Sequence, residues 1–312
     1  MVAMRGTLKG RDVISINDFS REEIDHILKV SDGIEKDLDS KFGLLSGKIL
    51  SILFFEPSTR TRMSFESAMY ELGGRCIDMG PTELTSVKKG ETFSDTIKVI
   101  SKYADVMVLR HPSDGAARYA SEISDVPIIN GGDGTGQHPT QTLLDLYTIK
   151  KESKLDGANI GILGDLKYGR TVHSLVYALS MYGIDMTFIS PPDLSLPEEI
   201  KEDLDDKKIS YEECDKIEEV IEDLDVLYVT RIQRERFPDI LEYEKVSGSY
   251  KITKDILEGR VKEDLIILHP LPRTGEIDPD VDDTKYARYF LQTKYGVVVR
   301  MAILGLILGG FE

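Results

Sequence analysis

The chain has 312 residues, more than one average domain and enough for two of about 150 each. Hydrophobic residues make up 41% and charged residues 30%, which excludes a disordered chain. The formal net charge of −16 argues against a general nucleic-acid binder or a protein held to anionic membranes, so an anionic ligand needs Arg and Lys gathered locally.

In chain order, Met1 to Ser15 alternates polar and apolar residues and lacks the apolar stretch of a signal peptide. Short runs of Ile, Val, Leu and Phe then read as strands covered on both faces: Ile49–Phe55, Val106–Leu109, Val126–Asn130, Asn159–Leu163, Met186–Ser190, Val226–Val229 and Leu265–Leu268. Between them lie helical stripes. Phe65, Ala68, Met69 and Leu72 repeat at i, i+3, i+4, i+7 before Gly73-Gly74, and Val172, Leu175, Val176 and Leu179 do the same before Gly183. The charge-dense stretch Glu198–Lys208 reads as a solvated helix face. The last apolar segment, Gly296 to Gly310, carries Arg300 and falls short of the about 20 residues that a membrane span needs.

Strands alternating with helices predict an α/β protein with doubly wound parallel sheets. The polar stretch Lys150–Gly157, after the Leu143–Ile149 helix, marks a domain break. Residues 1–150 are expected to form one domain and 151–290 the other, with the C-terminal helix, about 291–312, returning to the first. Cys76 and Cys214 make no disulfide framework and no CxxC pattern, which points to a reducing compartment and a cytoplasmic protein.

Ligands of parallel α/β sheets bind beyond the carboxyl ends of the strands. The predicted strand ends are followed by Glu56 to Arg62, by Arg110-His111-Pro112, by Gly131 to Gln141, by Gly164 to Thr171, by Thr230-Arg231-Ile232-Gln233 and by His269 to Arg273. In so acidic a chain this is a concentrated cationic rim, suited to a ligand with more than one anionic group. In the first of these loops Ser58, Thr59 and Thr61 offer hydroxyls at a helix start, and Arg60 adds a bidentate fork; together they suit phosphate. Pro139 suits a first helical turn, and His138 and Gln141 then look like two donors aimed at one carbonyl oxygen, the alternative being that His138 is a capping or core histidine. Gly164–Thr171 nearly matches GxxxxGK[ST] with Arg170 in the lysine position, a nucleotide-hydrolase alternative disfavoured by that replacement. HExxH, Cys/His clusters and GxSxG are absent, so no metal, cofactor or covalent intermediate is expected.

The string Phe54 to Arg62 resembles the carbamoyl-phosphate signature of the aspartate and ornithine carbamoyltransferases. Gly132-Asp133-Gly134 through Asp145, Gly164 through Leu175, Tyr228 through Gln233 and His269 through Arg273 resemble the aspartate branch of that family in particular. The His-Cys-Leu-Pro and Ser-Met-Gly strings of the ornithine branch are absent. The resemblance implies carbamoyl transfer from carbamoyl phosphate to L-aspartate, a step of pyrimidine synthesis, in a cleft between a carbamoyl-phosphate domain and an aspartate domain. It implies that Ser58, Thr59, Arg60, Thr61 and Arg110 hold the phosphate. On the same resemblance Thr61, Arg110, His138 and Gln141 would polarise the carbamoyl oxygen, and Leu271 and Pro272 would position the carbamoyl amino group through backbone carbonyls, across a cis proline bond. Arg170, Arg231 and Gln233, with Lys89, would bind aspartate. The resemblance also implies that Ser86 and Lys89 come from a neighbouring subunit, and so a homotrimer with shared sites. Their segment, Thr85 to Glu91, is one residue shorter than the Thr-Ser-x-x-Lys-Lys-Gly-Glu form of some members. Regulatory chains are left open by the sequence, as is a non-catalytic relative that keeps the fold.

Overall fold

The computed structural model describes residues 8–232, 237, 239–246 and 248–311. They divide into two compact units, Met1–Leu144 with Thr293–Glu312, and Asp145–Gln292. The division falls within the helices Pro139–Glu152 and Tyr289–Leu308.

The first unit holds a four-stranded sheet in the order β2-β1-β3-β4, built from β1 (Ile49–Phe54), β2 (Arg75–Asp78), β3 (Val106–His111) and β4 (Ile128–Asp133). The second holds a five-stranded sheet in the order β7-β6-β5-β8-β9: β5 (Asn159–Leu163), β6 (Asp185–Ile189), β7 (Tyr211–Cys214), β8 (Val226–Val229) and β9 (Ile266–Leu268). Every strand pair is parallel. This is the expected α/β, doubly wound architecture, twice over.

Two strands, β2 and β7, escaped the sequence reading, and both are edge strands. An edge strand is covered on fewer sides, so it can carry Arg75 and Asp78, or Glu212 and Glu213, where a central strand needs Ile and Val. β4 runs on through Gly131, Gly132 and Asp133, expected as loop, and β3 through Arg110 and His111. The register shifts there, between Leu109 and His111. A Cβ on Gly131 would stand 3.2 Å from the Leu109 carbonyl oxygen, a tight approach that a side chain would press on.

The helical stripes are core: Phe65, Ala68, Met69 and Leu72 in one unit and Val172, Leu175, Val176 and Leu179 in the other are all wholly buried. The C-terminal helix, with 20 residues and a mean hydropathy of 1.4, is long and apolar enough by composition to cross a membrane. Here it is a core element. Val299, Met301, Ala302 and Leu304 are wholly buried, and Arg300 donates to Ser64 Oγ at 2.9 Å and to the Gly296 carbonyl at 3.2 Å.

In each sheet the chain first moves outward one way and then returns to build the other side. The reversal falls between β1 and β3 in one unit and between β5 and β8 in the other. At the amino ends of these central pairs both units use the same tie. Asp105 accepts from the Ile49 N–H at 2.9 Å and pairs with Lys48 at 2.9 Å. Asp225 accepts from the Asn159 N–H at 3.0 Å and pairs with Lys262 at 2.7 Å and Lys154 at 3.0 Å. Burial pulls both carboxyls upward, but the lysine and backbone hydrogen bonds prevail and hold them below the usual carboxylate range.

A depressed folded pKa contributes stability above the unfolded value, near 3.9, and that contribution is lost as the pH falls through the folded value. The urea midpoint is therefore expected to be flat from neutral pH to about pH 5 and to fall below about pH 4. Asp225→Asn should start lower at pH 7 and decline less steeply in acid. An unchanged acid slope in that variant would show that the tie contributes nothing.

Candidate active site

A reversal of strand order leaves an opening at the carboxyl ends of the two strands beside it. In the first unit the loops after β1 and β3 meet there. β1 leads through Glu56-Pro57 into the helix Thr59–Glu71, with Ser58 as its extended N-cap residue. The Ser58 hydroxyl makes no capping bond, so the first N–H groups of the helix and that hydroxyl are not consumed by each other. Ser58 is half-buried, Thr59 and Arg60 are exposed, and Thr61 is 7% exposed in the first turn. Arg62, next along, is engaged structurally, with Asp78 at 2.8 Å and Glu66 at 3.4 Å.

Arg110, near the end of β3, is held on two sides. Its Nη1 donates to the Gly131 carbonyl at 3.0 Å, and its Nε lies 3.4 Å from Glu56 Oε2. One guanidinium thus joins the ends of β1, β3 and β4. Glu56 was read from the sequence only as part of a motif; a carboxylate directly after a strand, inside a rim of arginines, was the available signal. His111 beside it is structural: its ring packs 5.0 Å from both Phe55 and Phe93, its Nδ1 accepts from the Ser113 N–H, and burial lowers its pKa.

The segment from β4 to the next helix is ordered by two aspartates. Asp133 Oδ1 accepts from Asn130 Nδ2 at 2.9 Å and from the Gln137 N–H at 3.2 Å, while Oδ2 accepts from the Gly115 N–H at 3.1 Å. Asp114 Oδ1 accepts from the Thr135 and Gly136 N–H groups at 2.6 and 3.1 Å. Gly134 sits at φ +47°, where a Cβ would overlap Asp114. This loop delivers His138, 4% exposed, whose carbonyl accepts the first helical bonds from the Gln141 and Thr142 N–H groups. Gln141 is 9% exposed. Arg110 within the last residues of β3, Thr61 after β1, and His138 and Gln141 after β4 are therefore all placed at the carboxyl ends of three adjacent parallel strands of one sheet.

In the second unit the loops after β5 and β8 flank the reversal. Gly164, at φ +122°, lies so near β8 that a Cβ would stand 2.2 Å from the Thr230 carbonyl oxygen. Thr230 Oγ1 accepts from the Asp165 N–H at 3.1 Å, and Asp165 Oδ1 from the Tyr168 N–H at 2.9 Å. The turn so shaped places Arg170 as the first residue of the helix Arg170–Leu179, only 8% exposed. Arg231 follows β8 and is half-buried. Gln233 lies outside the described residues. A cavity of about 210 Å³ opens at these strand ends, lined among others by Gly164, Thr230, Ile232, Lys251, Thr274 and Glu276, of which the last three were not foreseen. Leu271-Pro272, after β9, is a cis peptide bond, with Leu271 half-buried and Pro272 exposed.

Ser86 and Lys89 are exposed on the short turn Ser86–Lys89 of the first unit. Among the described residues no group of three or more His, Cys, Asp or Glu is placed to hold a metal ion.

The chain matches the family model "Aspartate/ornithine carbamoyltransferase, carbamoyl-P binding domain" over residues 11–151 and its companion, "Asp/Orn binding domain", over residues 156–307. It is 59% identical over 306 residues to the aspartate carbamoyltransferase catalytic subunit of Methanosarcina mazei, a match covering 97% of this chain and 99% of that one. Among solved structures it is similar to the catalytic subunit of M. jannaschii aspartate transcarbamoylase (57% identity, TM-score 0.87, 94% of this chain and 96% of that one). It is also similar to the Trypanosoma cruzi aspartate transcarbamoylase in complex with carbamoyl phosphate and aspartate (37% identity, TM-score 0.89, 96% of each chain).

Proposed function

This chain belongs to the aspartate/ornithine carbamoyltransferase family, and from that premise we propose that its acceptor is L-aspartate and that its two units divide the substrates between them. It is an enzyme that moves the carbamoyl group of carbamoyl phosphate to the amine of L-aspartate, giving N-carbamoyl-L-aspartate and phosphate, a step toward pyrimidines. The observation that carries the acceptor is the pair Arg170 and Arg231 after β5 and β8. Two cations suit two carboxylates, whereas the second amine of ornithine would require a carboxylate there.

In this reading Ser58, Thr59, Arg60 and Thr61 take the phosphate with Arg110, and Thr61, Arg110, His138 and Gln141 face the carbamoyl oxygen. The aspartate amine attacks the carbonyl carbon. The new C–N bond forms, negative charge grows on the carbonyl oxygen, and the bond from carbon to the phosphate oxygen breaks. The departing phosphate takes the proton of the amine, so no protein base is required. Donors held where charge develops lower the barrier because they need no reorganisation during the reaction. Leu271 and Pro272 accept from the carbamoyl amino group, and Arg170, Arg231 and Gln233, with Lys89, hold aspartate.

We also propose that Ser86 and Lys89 act in the site of a neighbouring copy, in a cytoplasmic homotrimer. Their exposure supports this, as do Leu84, 84% exposed, and Phe42, 74% exposed, both large apolar side chains on the surface of the first unit. Cys76 and Cys214 are free thiols, with burial raising the first to about 12 and the second more modestly, as suits a reducing compartment. The similar archaeal proteins are catalytic subunits, which supports assembly with further chains.

Incubation with carbamoyl phosphate and either L-aspartate or L-ornithine is expected to yield carbamoyl aspartate alone. Product only with ornithine would overturn the reading of Arg170 and Arg231. Sedimentation should give three times the chain mass, and a monomer would remove the shared site.

A further inference from the structure

The loop after β9 contains a residue whose backbone is not where a leucine rests by itself. Leu271 has φ +55°, in the left-handed region that disfavours a side chain. Something must hold it there. The Leu271 N–H donates to His269 Nδ1 at 2.7 Å. A backbone N–H can only donate, so Nδ1 carries no proton, and the ring is the neutral tautomer protonated at Nε2. That Nε2–H points at Glu276 Oε1, 2.6 Å away. Glu276 is in turn fixed, accepting from the Thr274 N–H at Oε2 at 3.0 Å.

The histidine is itself anchored from behind. Its backbone N–H donates to Gln292 Oε1 at 3.0 Å, and Gln292 Nε2 donates to Asp145 Oδ1 at 2.6 Å. His269 and Gln292 are each 1% exposed and Asp145 is wholly buried. The ring itself is out of solvent, so its two nitrogens depend on Leu271 and Glu276 for partners, and together these set its orientation and tautomer.

We propose that His269 is a positioning residue for carbamoyl-phosphate binding: its unprotonated Nδ1 captures the Leu271 N–H, holds that residue in the left-handed conformation, and so aims the neighbouring backbone carbonyls at the carbamoyl amino group. The inference rests on the assignment of Leu271 and Pro272 to that amino group made above. A carbonyl that accepts from the substrate accepts equally in the ground state and the transition state. Misaiming it therefore raises KM for carbamoyl phosphate more than it lowers kcat.

Two substitutions separate this role from simple packing. His269→Asn places an amide oxygen near the position of Nδ1 and keeps an acceptor for Leu271, but gives up Glu276. His269→Gln reaches toward Glu276 and gives up the acceptor. The Leu271 amide should exchange slowly with solvent in the parent and the Asn variant, and at least about tenfold faster in the Gln variant. KM for carbamoyl phosphate should rise about tenfold in the Gln variant with kcat within about threefold, and stay within about threefold of the parent in the Asn variant. His269→Leu, which fills space without an acceptor, should behave as the Gln variant does and serves if that protein does not fold.

Equal exchange rates, or equal KM changes accompanied by equal losses of melting temperature in the Asn and Gln variants, would overturn the positioning role while a parent that makes carbamoyl aspartate upholds the functional reading. A parent that makes no carbamoyl aspartate would overturn that reading, and the inference with it.

Discussion

Arg110→Ala is expected to lower the turnover of carbamoyl aspartate formation by a factor of about 10² to 10³, equivalent to about 3–4 kcal/mol of transition-state stabilisation. The size follows from how this side chain is held. It is 15% exposed, its Nη1 is bonded to the Gly131 carbonyl, and its Nε faces Glu56. A guanidinium hydrogen-bonded at one end and ion-paired at the other has a set orientation, and preorganisation of that kind distinguishes a catalytic cation from a mobile surface one. Arg110→Lys keeps the charge but has neither the planar fork nor the reach to satisfy both anchors, so it should recover only a small part of the loss. Glu56→Gln should cost less than either, since it loosens the clamp without removing the donor. The measurement is kcat at saturating carbamoyl phosphate and aspartate, with the melting temperature as a control for folding. Turnover of Arg110→Ala within a few fold of the parent would refute the assignment of the phosphate and oxyanion groups.

Asp145→Ala should produce the largest loss of stability, about 3 kcal/mol or more. Asp145 is wholly buried, and its two oxygens accept from Tyr228 Oη at 2.9 Å and Gln292 Nε2 at 2.6 Å. Burial and the neighbouring carboxylate push the Tyr228 phenol well above its ordinary pKa, so it remains a donor. Truncating Asp145 strands two buried donors at once, each worth about 1–3 kcal/mol when left unsatisfied, and leaves a void besides. Asp145→Asn has one acceptor oxygen for two donors and should fall between. Tyr228→Phe alone should cost about 1 kcal/mol, and its cost should nearly vanish in the Asp145→Ala background, because the two side chains share one interaction. Urea unfolding of the four variants beside the parent checks this, and a loss below about 1 kcal/mol for Asp145→Ala would mean that water or a neighbour takes up the orphaned donors.

Much of the fold was legible in the residues because burial writes itself locally. A strand covered on both faces is apolar nearly throughout, as Val226–Val229, Ile266–Leu268 and, but for Ser51, Ile49–Phe54 are, and a helix packed on a sheet repeats at i, i+3, i+4, i+7, as Phe65 to Leu72 does. The same logic hid β2 and β7, whose edge positions relax that demand. It also hid the ends of β3 and β4, where Arg110, Gly131 and Asp133 look like loop residues but continue the strands across a shift in register.

The sequence by itself determined which chemistry is available: hydroxyls and an arginine after β1, an arginine at the end of β3, a histidine and an amide after β4, two arginines after β5 and β8, and the motifs that mark the family. Only the tertiary structure decided how those groups are held. Arg110 reads as one more cation until Glu56 and Gly131 close on it. His269 reads as a motif letter until Gln292 and Asp145, 147 residues apart, are found bonded behind it. Periodicity and propensity act over a few residues, whereas tautomer, donor direction and a left-handed backbone at Leu271 depend on partners brought in from distant segments by the strand order, and no local signal carries that information.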